Sequence, residues 1–497
     1  MFVLGIDIGT SSIKASVIEP ASGRIVASAQ YPDTETPILS PQPGFAEQSP
    51  LQWWNDVQAA IQLLAKSSSF NPADIAAIGL SYQMHGLVLI DEQNQVLRNS
   101  IIWCDSRAVE IGRQAAQELG DYCDENLLNS PGNFTASKLA WVKQNEPDIY
   151  RRIHKIMLPG DFIALQLTGE LTTTPSALSE GIFWDFKQNA VSAKLLSYFD
   201  FDASFLPEVR DVFSTHGVLK KDIAESLGLK AGIPVSYKAG DQPNNALALN
   251  VLHPGEVAAT AGTSGVIYAV TDHLAADRAS RINSFAHVNH TASQNRIGVL
   301  LNINGCGSMN RWIRQNIAND KSYSELNDLA ASVRPGSEGL QIIPFGNGAE
   351  RMLENRIVGA QLRHLDLNVH QPAHLFRAAQ EGIAYAFRYG LDIMRENNIH
   401  PGVIRVSHSN MFLSPVFTDI FVNVTGVPVE HYTGDGSAGA ARGAAIGAGL
   451  ISADATSGTK AVKVTTPDKH SPYGELYENW KHTLDQLIFS PEQSLVP

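Results

Sequence analysis

The segments "LGIDIGTSSIK", near the start of the chain, and "VAATAGTSGVIY", in its second half, constrain the fold more than any other feature. Each sets a Gly-Thr-Ser turn between two runs rich in β-branched and small apolar residues, the pattern of a hairpin inside a buried sheet. Such a turn leaves several backbone N–H groups pointing the same way. Glycine permits close approach and the hydroxyls add donors without bulk, so the turn suits phosphate oxygens. One turn of this kind is only a hairpin. Two of them, on two similar halves, predict a cleft that grips one polyphosphate from both sides. Only the first copy has a carboxylate, Asp7, two residues before its glycine; Thr260 holds the matching place in the second. One metal ion beside the phosphates needs one anchoring carboxylate, which accounts for the asymmetry.

The rest of the chain repeats the plan. "FVLGIDIG", "IKASVIE" and "RIVASAQ" read as three consecutive strands, and "GEVAAT", "GVIYAV" and "RIGVLLNI" as their counterparts. A repeat this long is a duplicated domain rather than a solenoid. In "WWNDVQAAIQLLAKS" the spacing puts Trp54, Val57, Ile61 and Leu64 on one buried helical stripe. "SELNDLAASV", "LFRAAQEGIAYAFRYGLDIMREN" and the tail segment "LYENWKHTLDQLIF" also read as helices. From Gly434 to Gly449 the chain is almost all Gly and Ala, a density that lets a helix pack tightly on a neighbour. The spacing predicts a first domain over 1–245, a second over 246–460 and a helical tail over 461–497.

At 497 residues the chain exceeds one typical core, and its 44% hydrophobic and 18% charged residues are those of an ordinary globular protein. The net charge of −13, with no run of basic residues, argues against nucleic acid or an anionic membrane as a partner. It does not bar phosphate, which backbone amides hold without net positive charge. Cys104, Cys123 and Cys306 are far apart and odd in number, so neither a disulfide framework nor a zinc site is expected. The N-terminal apolar stretch is broken by Gly5, Asp7 and Gly9 and follows no basic segment, unlike a signal peptide. No apolar run approaches the roughly 18 residues of a membrane span. A reducing cytoplasm is the expected location.

With "GIDIGTSSIKA" and "AATAGTSGVIYA" stand "GFAEQSPLQWW", "GLSYQMHGLVLID", "IIWCDSRA", "GNFTASKLAWVKQNEPDIY", "MLPGDFIALQLTGE" and "AGDQPNNA". Over nearly the whole chain this set resembles the FGGY family of carbohydrate kinases, and in order and spacing its members that act on D-xylulose. The resemblance implies an α/β fold of two ribonuclease-H-like (actin-like ATPase) domains with an interdomain cleft. It also implies ATP and Mg²⁺ as cofactors, a small-molecule sugar as substrate, transfer of phosphate to the sugar O5, and a possible homodimer. Asp241, in "AGDQ" at the domain junction, suits a base that accepts the proton of an attacking hydroxyl, and it matches the family's catalytic aspartate. By the same resemblance Asp7 is the metal-side carboxylate. Gly9, Thr10, Ser11, Gly262, Thr263 and Ser264 form the phosphate turns, and Asn310, Ser409 and Asn410 belong to the nucleotide site. Gln83, Met84 and His85 in "YQMHG", with Gln242 and Asn244, face the sugar. Asp105 and Arg107 are expected to be an ion pair of the pocket wall, and Trp53 and Trp54 packing residues.

Two departures stand out. Many family members have a "GGGA" stretch in the adenosine site where this chain has "SHSNMFLSPVF", which implies a narrower or rearranged pocket. In "TTTPSALSEG", Thr174 and Ala177 replace carboxylates of better-known xylulose-phosphorylating members. A kinase for another ketose or polyol such as ribulose is the first alternative. An actin- or chaperone-like ATPase, which needs no base at the junction, is the second.

Overall fold

The computed structural model describes residues 1–67, 69–318, 320–453 and 461–489. On either side of the first glycine turn, β1 (Phe2–Ile8) and β2 (Ile13–Glu19) pair antiparallel, and β3 (Arg24–Tyr31) follows on β2. β4 (Ile75–Tyr82) runs parallel to β1, and β5 (Val235–Gly240) parallel to β4, giving the order β5-β4-β1-β2-β3. Helices cover both faces, so the central strands are buried on both sides. α1 (Pro50–Ala65) lies on one face. α2 (Thr135–Asn145), α3 (Pro159–Thr168), α4 (Pro175–Glu180) and α5 (Asp241–Ala248) follow in the same half.

The second sheet repeats the order. β6 (Glu256–Ala261), β7 (Gly265–Thr271) and β9 (Ile297–Ile303) are antiparallel, with β8 (Asn283–Ala286) at their outer edge. On the other side of β6, β10 (Val403–Ser407) and then β11 (Val429–Tyr432) run parallel, and β12 (Lys463–Thr465) closes the seven-stranded sheet. The ribonuclease-H-like plan therefore appears twice. The expected match of Asp7 with Thr260 is also one of register. Asp7 pairs with Lys14 and Thr260 with Val266, each one step from the end of its hairpin.

After α6 (Gly307–Ile317), a helix not expected from the sequence, the expected ones form: α7 (Tyr323–Ala331), α8 (Pro372–Glu396), α9 (Gly436–Gly447) and α10 (Tyr473–Ile488). The expected α1 stripe holds at Val57, Ile61 and Leu64, and only its first member differs, Trp53 taking the place expected of Trp54. Trp53, Val57, Ala60, Ile61 and Leu64 are buried, and Trp54 is half-buried. The indole N–H of Trp53 reaches Gln48 Oε1 at 3.1 Å, which selects that ring for the interior. The expected boundary at residue 245 falls inside α5. The last eight residues of the expected tail, 490–497, and residues 454–460 lie outside the described residues.

The Gly/Ala-rich helix α9 belongs by sequence to the second half yet packs on the first sheet, across β1, β4 and β5. Side chains alternate along β1, so Leu4, Ile6 and Ile8 enter the core shared with α1. Val3 belongs to the core under α9, and Gly5 and Asp7 share its parity. A methyl group at Gly5 would fall on the Ser437 carbonyl oxygen, and one at Gly79 on that of Ala440. One at Gly443 would meet the Tyr237 ring at 2.6 Å. Close backbone approach, rather than a ligand against the helix, is what the small residues serve.

In the same half Lys238, fully buried on β5, donates to Asp161 Oδ1 at 2.6 Å, to Thr172 O at 2.7 Å and to Thr172 Oγ1 at 3.1 Å. All three cysteines are free. Among the described residues no helix is long and apolar enough to cross a membrane.

Because the obstacle at Gly79 is backbone rather than a flexible side chain, Gly79→Ala is expected to destabilise the fold by about 3 kcal/mol in chemical denaturation. A cost near zero would mean that α9 is free to withdraw from the sheet.

Candidate functional site

The first turn is held by a closed ring of hydrogen bonds. Gly9 N–H donates to Ser12 O at 3.1 Å, and a methyl group at Gly9 would sit 2.9 Å from that same oxygen. Thr10 Oγ1 donates to Gln83 Oε1 at 3.1 Å, Gln83 Nε2 to Gln48 Oε1 at 3.0 Å, and Gln48 Nε2 back to Thr10 O at 2.8 Å. The exposed Trp103 adds a bond from Nε1 to Thr10 Oγ1 at 2.9 Å. Gln83 therefore departs from its expected sugar contact. It is buried, and both ends of its amide are committed to the turn. Ser11 is exposed, its carbonyl held by Thr36 N–H at 2.8 Å.

The second turn is pinned by the start of α6. Gly307 N–H donates to Gly262 O at 2.9 Å and Ser308 N–H to Thr263 O at 3.1 Å. A side chain at Gly307 would collide with Gly262 O. Beside this turn opens a cavity of about 370 Å³ whose wall includes Gly262, Thr263, Asn310, Asn410 and Met411. Tyr323, Asn327 and Gln380 close its far side. The cavity thus persists without a glycine run, with Met411 forming part of its wall. Ser264 and Ser409 lie outside the lining, and Ser409 Oγ accepts from Asn410 Nδ2 at 3.5 Å.

The carboxylates meet where α9 and α5 begin. Asp7 Oδ1 accepts from Ser81 Oγ at 2.7 Å, and its other oxygen lies against Gly436, at the N-terminus of α9. Burial raises the Asp7 carboxyl above its usual range; the Ser81 bond opposes that rise and the charge of Asp435 adds to it. Asp435 caps α9, its Oδ1 accepting from Ala438 N–H at 3.1 Å and Ser437 Oγ at 2.7 Å. Asp241 is the first residue of α5. Burial, and then the charge of Asp7, push its carboxyl up to about 7, while the backbone N–H and side chain of Gln242 hydrogen-bond it and pull the other way. Gln242 is thus a partner of Asp241. Among the described residues no group of three or more His, Cys, Asp or Glu could enclose a metal ion.

Met84 packs against the backbone just before this carboxylate, and His85 follows it in the chain. A methyl group at Gly240, the residue before Asp241, would stand 2.6 Å from Met84 Cγ and 3.4 Å from Glu180 Oε1. The His85 ring packs against Phe134 and Phe285, with centroids 4.7 and 5.5 Å apart. Burial and the nearby Lys138 charge lower its pKa to about 3, so it is neutral at physiological pH, and its 3.6 Å approach to Glu180 Oε2 is no ion pair.

Two family models divide the chain. The N-terminal domain of the FGGY family of carbohydrate kinases matches residues 2–248, and the C-terminal domain of the same family matches residues 257–451. The xylulose kinase of Staphylococcus xylosus is 30% identical over 80% of this chain and 81% of its own length. The chain belongs to the FGGY family of carbohydrate kinases. The xylulose kinase of Lactococcus lactis subsp. lactis is 29% identical over 97% of this chain and 96% of its own. Among solved structures, the xylulose kinase of Rhodospirillum rubrum superposes with a TM-score of 0.87 at 26% identity, covering 98% of this chain and 99% of that one. The two-domain, actin-like ATPase fold implied by this family is the one described above.

Other residues singled out in the sequence have structural partners. Asn244 is fully buried and donates from Nδ2 to Gly436 O at 2.8 Å, so it fastens α9 to α5. Asp105 and Arg107 form the expected pair, at 2.7 Å; Asp105 also accepts from Ala46 N–H at 2.6 Å, and the guanidinium covers the Phe45 ring at 3.7 Å. Sequence reasoning missed Gln48, Lys138, Glu180 and Asp435. Lys138 carried a signal, a lone cation in the apolar run "ASKLAWV". Glu180, in "SALSEG", was likewise a single charge among small residues.

Gln83→Leu is expected to lower stability by about 1–3 kcal/mol, because it leaves the Thr10 hydroxyl proton without its acceptor and removes one of the two donors to Gln48 Oε1, the other being Trp53. Chemical denaturation measures this, and a cost near zero would show that the ring does not brace the turn.

Proposed function

We propose that the chain is an ATP-dependent kinase of D-xylulose, forming D-xylulose 5-phosphate with Asp241 as the general base. The observation that carries the reading is the carboxylate at the start of α5, with a pKa near neutrality, directly beside the Met84–His85 loop. Phosphoryl transfer asks a protein for positioning, charge neutralisation and a place for the hydroxyl proton. In this reading Asp241 takes that proton as the sugar oxygen bonds to the γ-phosphorus and the bond to the departing ADP breaks. Gln242 orients the carboxylate. The turns at Gly9–Ser11 and Gly262–Ser264 present backbone N–H groups to the phosphates, and the cavity lined by Asn310, Asn410 and Met411 takes the nucleoside.

Asp7 fits a Mg²⁺ ion held through few protein ligands, since Ser81 engages one oxygen and leaves the other uncommitted, and this ion keeps several waters. Bound there, the ion would neutralise phosphate charge. The xylulose kinases among the relatives support the choice of sugar. The acidic chain without a basic run supports small molecules, rather than nucleic acid or membrane, as partners in a cytoplasmic setting.

A panel of D-xylulose, L-ribulose, L-xylulose, glycerol and gluconate, each with Mg-ATP, tests the assignment by kcat/KM. D-Xylulose is expected to lead by at least about tenfold, which corresponds to about 1.4 kcal/mol of transition-state discrimination. A higher value for another sugar would keep the kinase and overturn the substrate, and ADP release indifferent to every sugar would overturn both.

The pH dependence has a definite sign. A base works ionised, so kcat/KM is expected to be level above about pH 7 and to fall by about tenfold per unit below it. An acidic limb near pH 4 would show that burial and the Asp7 charge do not raise the Asp241 carboxyl in the working enzyme.

A further inference from the structure

We propose that Glu180 is the positioning residue of the sugar loop: it holds His85 in a left-handed backbone conformation in which the imidazole offers a bare Nε2 as acceptor for one sugar hydroxyl. This rests on the reading of His85 as a sugar contact and assigns the chemistry of that contact. His85 has a φ of 63°, a region where a residue with a side chain persists only when its surroundings hold it. Three bonds hold it. His85 N–H donates to Glu180 Oε2 at 3.1 Å. The buried Lys138 donates from Nζ to His85 O at 2.8 Å and to Ile102 O at 2.9 Å. The ring nitrogen Nδ1 lies 3.0 Å from the Glu180 carbonyl oxygen.

The last of these decides the tautomer. A carbonyl oxygen has no proton to give, so Nδ1 carries the hydrogen and donates. In a neutral imidazole that leaves only a lone pair on Nε2. Phe134 and Phe285 restrict ring rotation, and the side chain keeps 16% of its surface exposed, so one edge stays open to a ligand. The contact is therefore one-directional: it accepts from a hydroxyl.

Glu180 suits the holding role because it is itself fixed. It is 1% exposed and ends α4, whose Ser176 Oγ donates to Ala286 O at 2.8 Å. Ser179 Oγ accepts from Ala286 N–H at 2.9 Å. The His85 loop is in this way referenced to the edge strand of the second sheet. Burial, and after it the charges of Asp241 and Asp161, raise the Glu180 carboxyl well above its usual range against the Tyr82 and His85 hydrogen bonds, and an amide oxygen can accept the same His85 N–H. The buried Tyr82 hydroxyl faces the Glu180 carboxyl, and its oxygen can accept the amide N–H of a glutamine there.

The test uses the full-length protein with ¹⁵N-labelled histidine, the His85 signals being assigned by their loss in His85→Asn. Wild-type His85 is expected to show a protonated Nδ1 and an unprotonated Nε2; a proton found on Nε2 would overturn the proposal without any variant. Glu180→Met keeps volume and the backbone carbonyl beside Nδ1 but removes the carboxyl that accepts from His85 N–H and holds the loop in register with that carbonyl. It is expected to raise KM for D-xylulose by about tenfold or more, to leave KM for ATP within about twofold, and to disperse the single-tautomer pattern. Glu180→Gln keeps the acceptor and is expected to restore both the pattern and the sugar KM to within about threefold. A Met variant with wild-type His85 signals and sugar KM, or a Gln variant as impaired as Met, would overturn the proposal. If His85→Asn leaves the sugar KM unchanged while Glu180→Met still scrambles the tautomer, the sugar reading fails and the positioning role stands.

Discussion

The site depends on how closely α9 approaches the first sheet. That helix is buried along Gly436, Ser437, Gly439 to Ala441 and Gly443 to Ala445, and it meets β1 and β4 at Gly5 and Gly79 with no room for a side chain on either. Close packing of this kind is won by many small dispersion contacts, and it is lost when a single methyl group is inserted. Its consequence is positional. The helix comes from the second half, so its docking ties that half to the first. Its N-terminus, capped by Asp435, arrives against Asp7 because Asp7 shares the parity of Gly5 on β1. Asn244 then links the start of α9 to the helix that Asp241 begins. Three carboxylates and two halves are brought to one place by backbone proximity rather than by long side chains.

Around that place lie polar groups that burial would make costly if they were unpaired. Lys238 and Asp161 meet with Thr172 in the interior of the first half, and removing either charge alone would leave the other uncompensated. Burial lowers the Lys138 pKa to about 7 against the opposing pull of Asp105, and its ammonium donates to the carbonyl oxygens of His85 and Ile102. In the second half Glu350, fully buried, accepts from Asn304 N–H at 3.1 Å and Gly305 N–H at 3.2 Å, just before α6. Each group anchors a loop that no regular element would hold, which is why loops carrying Met84, His85 and the second turn keep defined shapes.

Much of this was legible in the sequence because it is written in local chemistry. The strands around both Gly-Thr-Ser turns follow from β-branched runs and turn residues, and the small-residue segment from Gly434 to Gly449 correctly implied close packing. What local reasoning could not supply was the neighbour. Nothing in "GDGSAGAARGAAIGAG" says that its partner is β1, hundreds of residues earlier in the chain. The partners of Gln83 and Asn244 were hidden for the same reason. An amide beside a site motif has the right chemistry for a sugar hydroxyl, and only the fold shows that Gln48, Thr10 and Gly436 have already engaged it. Glu180 escaped because a glutamate in a helical segment is ordinarily solvated, and its burial comes from α4 packing on the second sheet.

The claim that joins these parts is that Asp241 serves the chemical step and not the grip on either substrate. Equilibrium binding and single-turnover transfer measured on Asp241→Asn test it most directly. The account predicts dissociation constants for Mg-ATP and D-xylulose close to those of the wild type, with the transfer rate lowered by about 10²–10⁴-fold. Transfer at an undiminished rate, or a loss explained wholly by weakened binding, would contradict it.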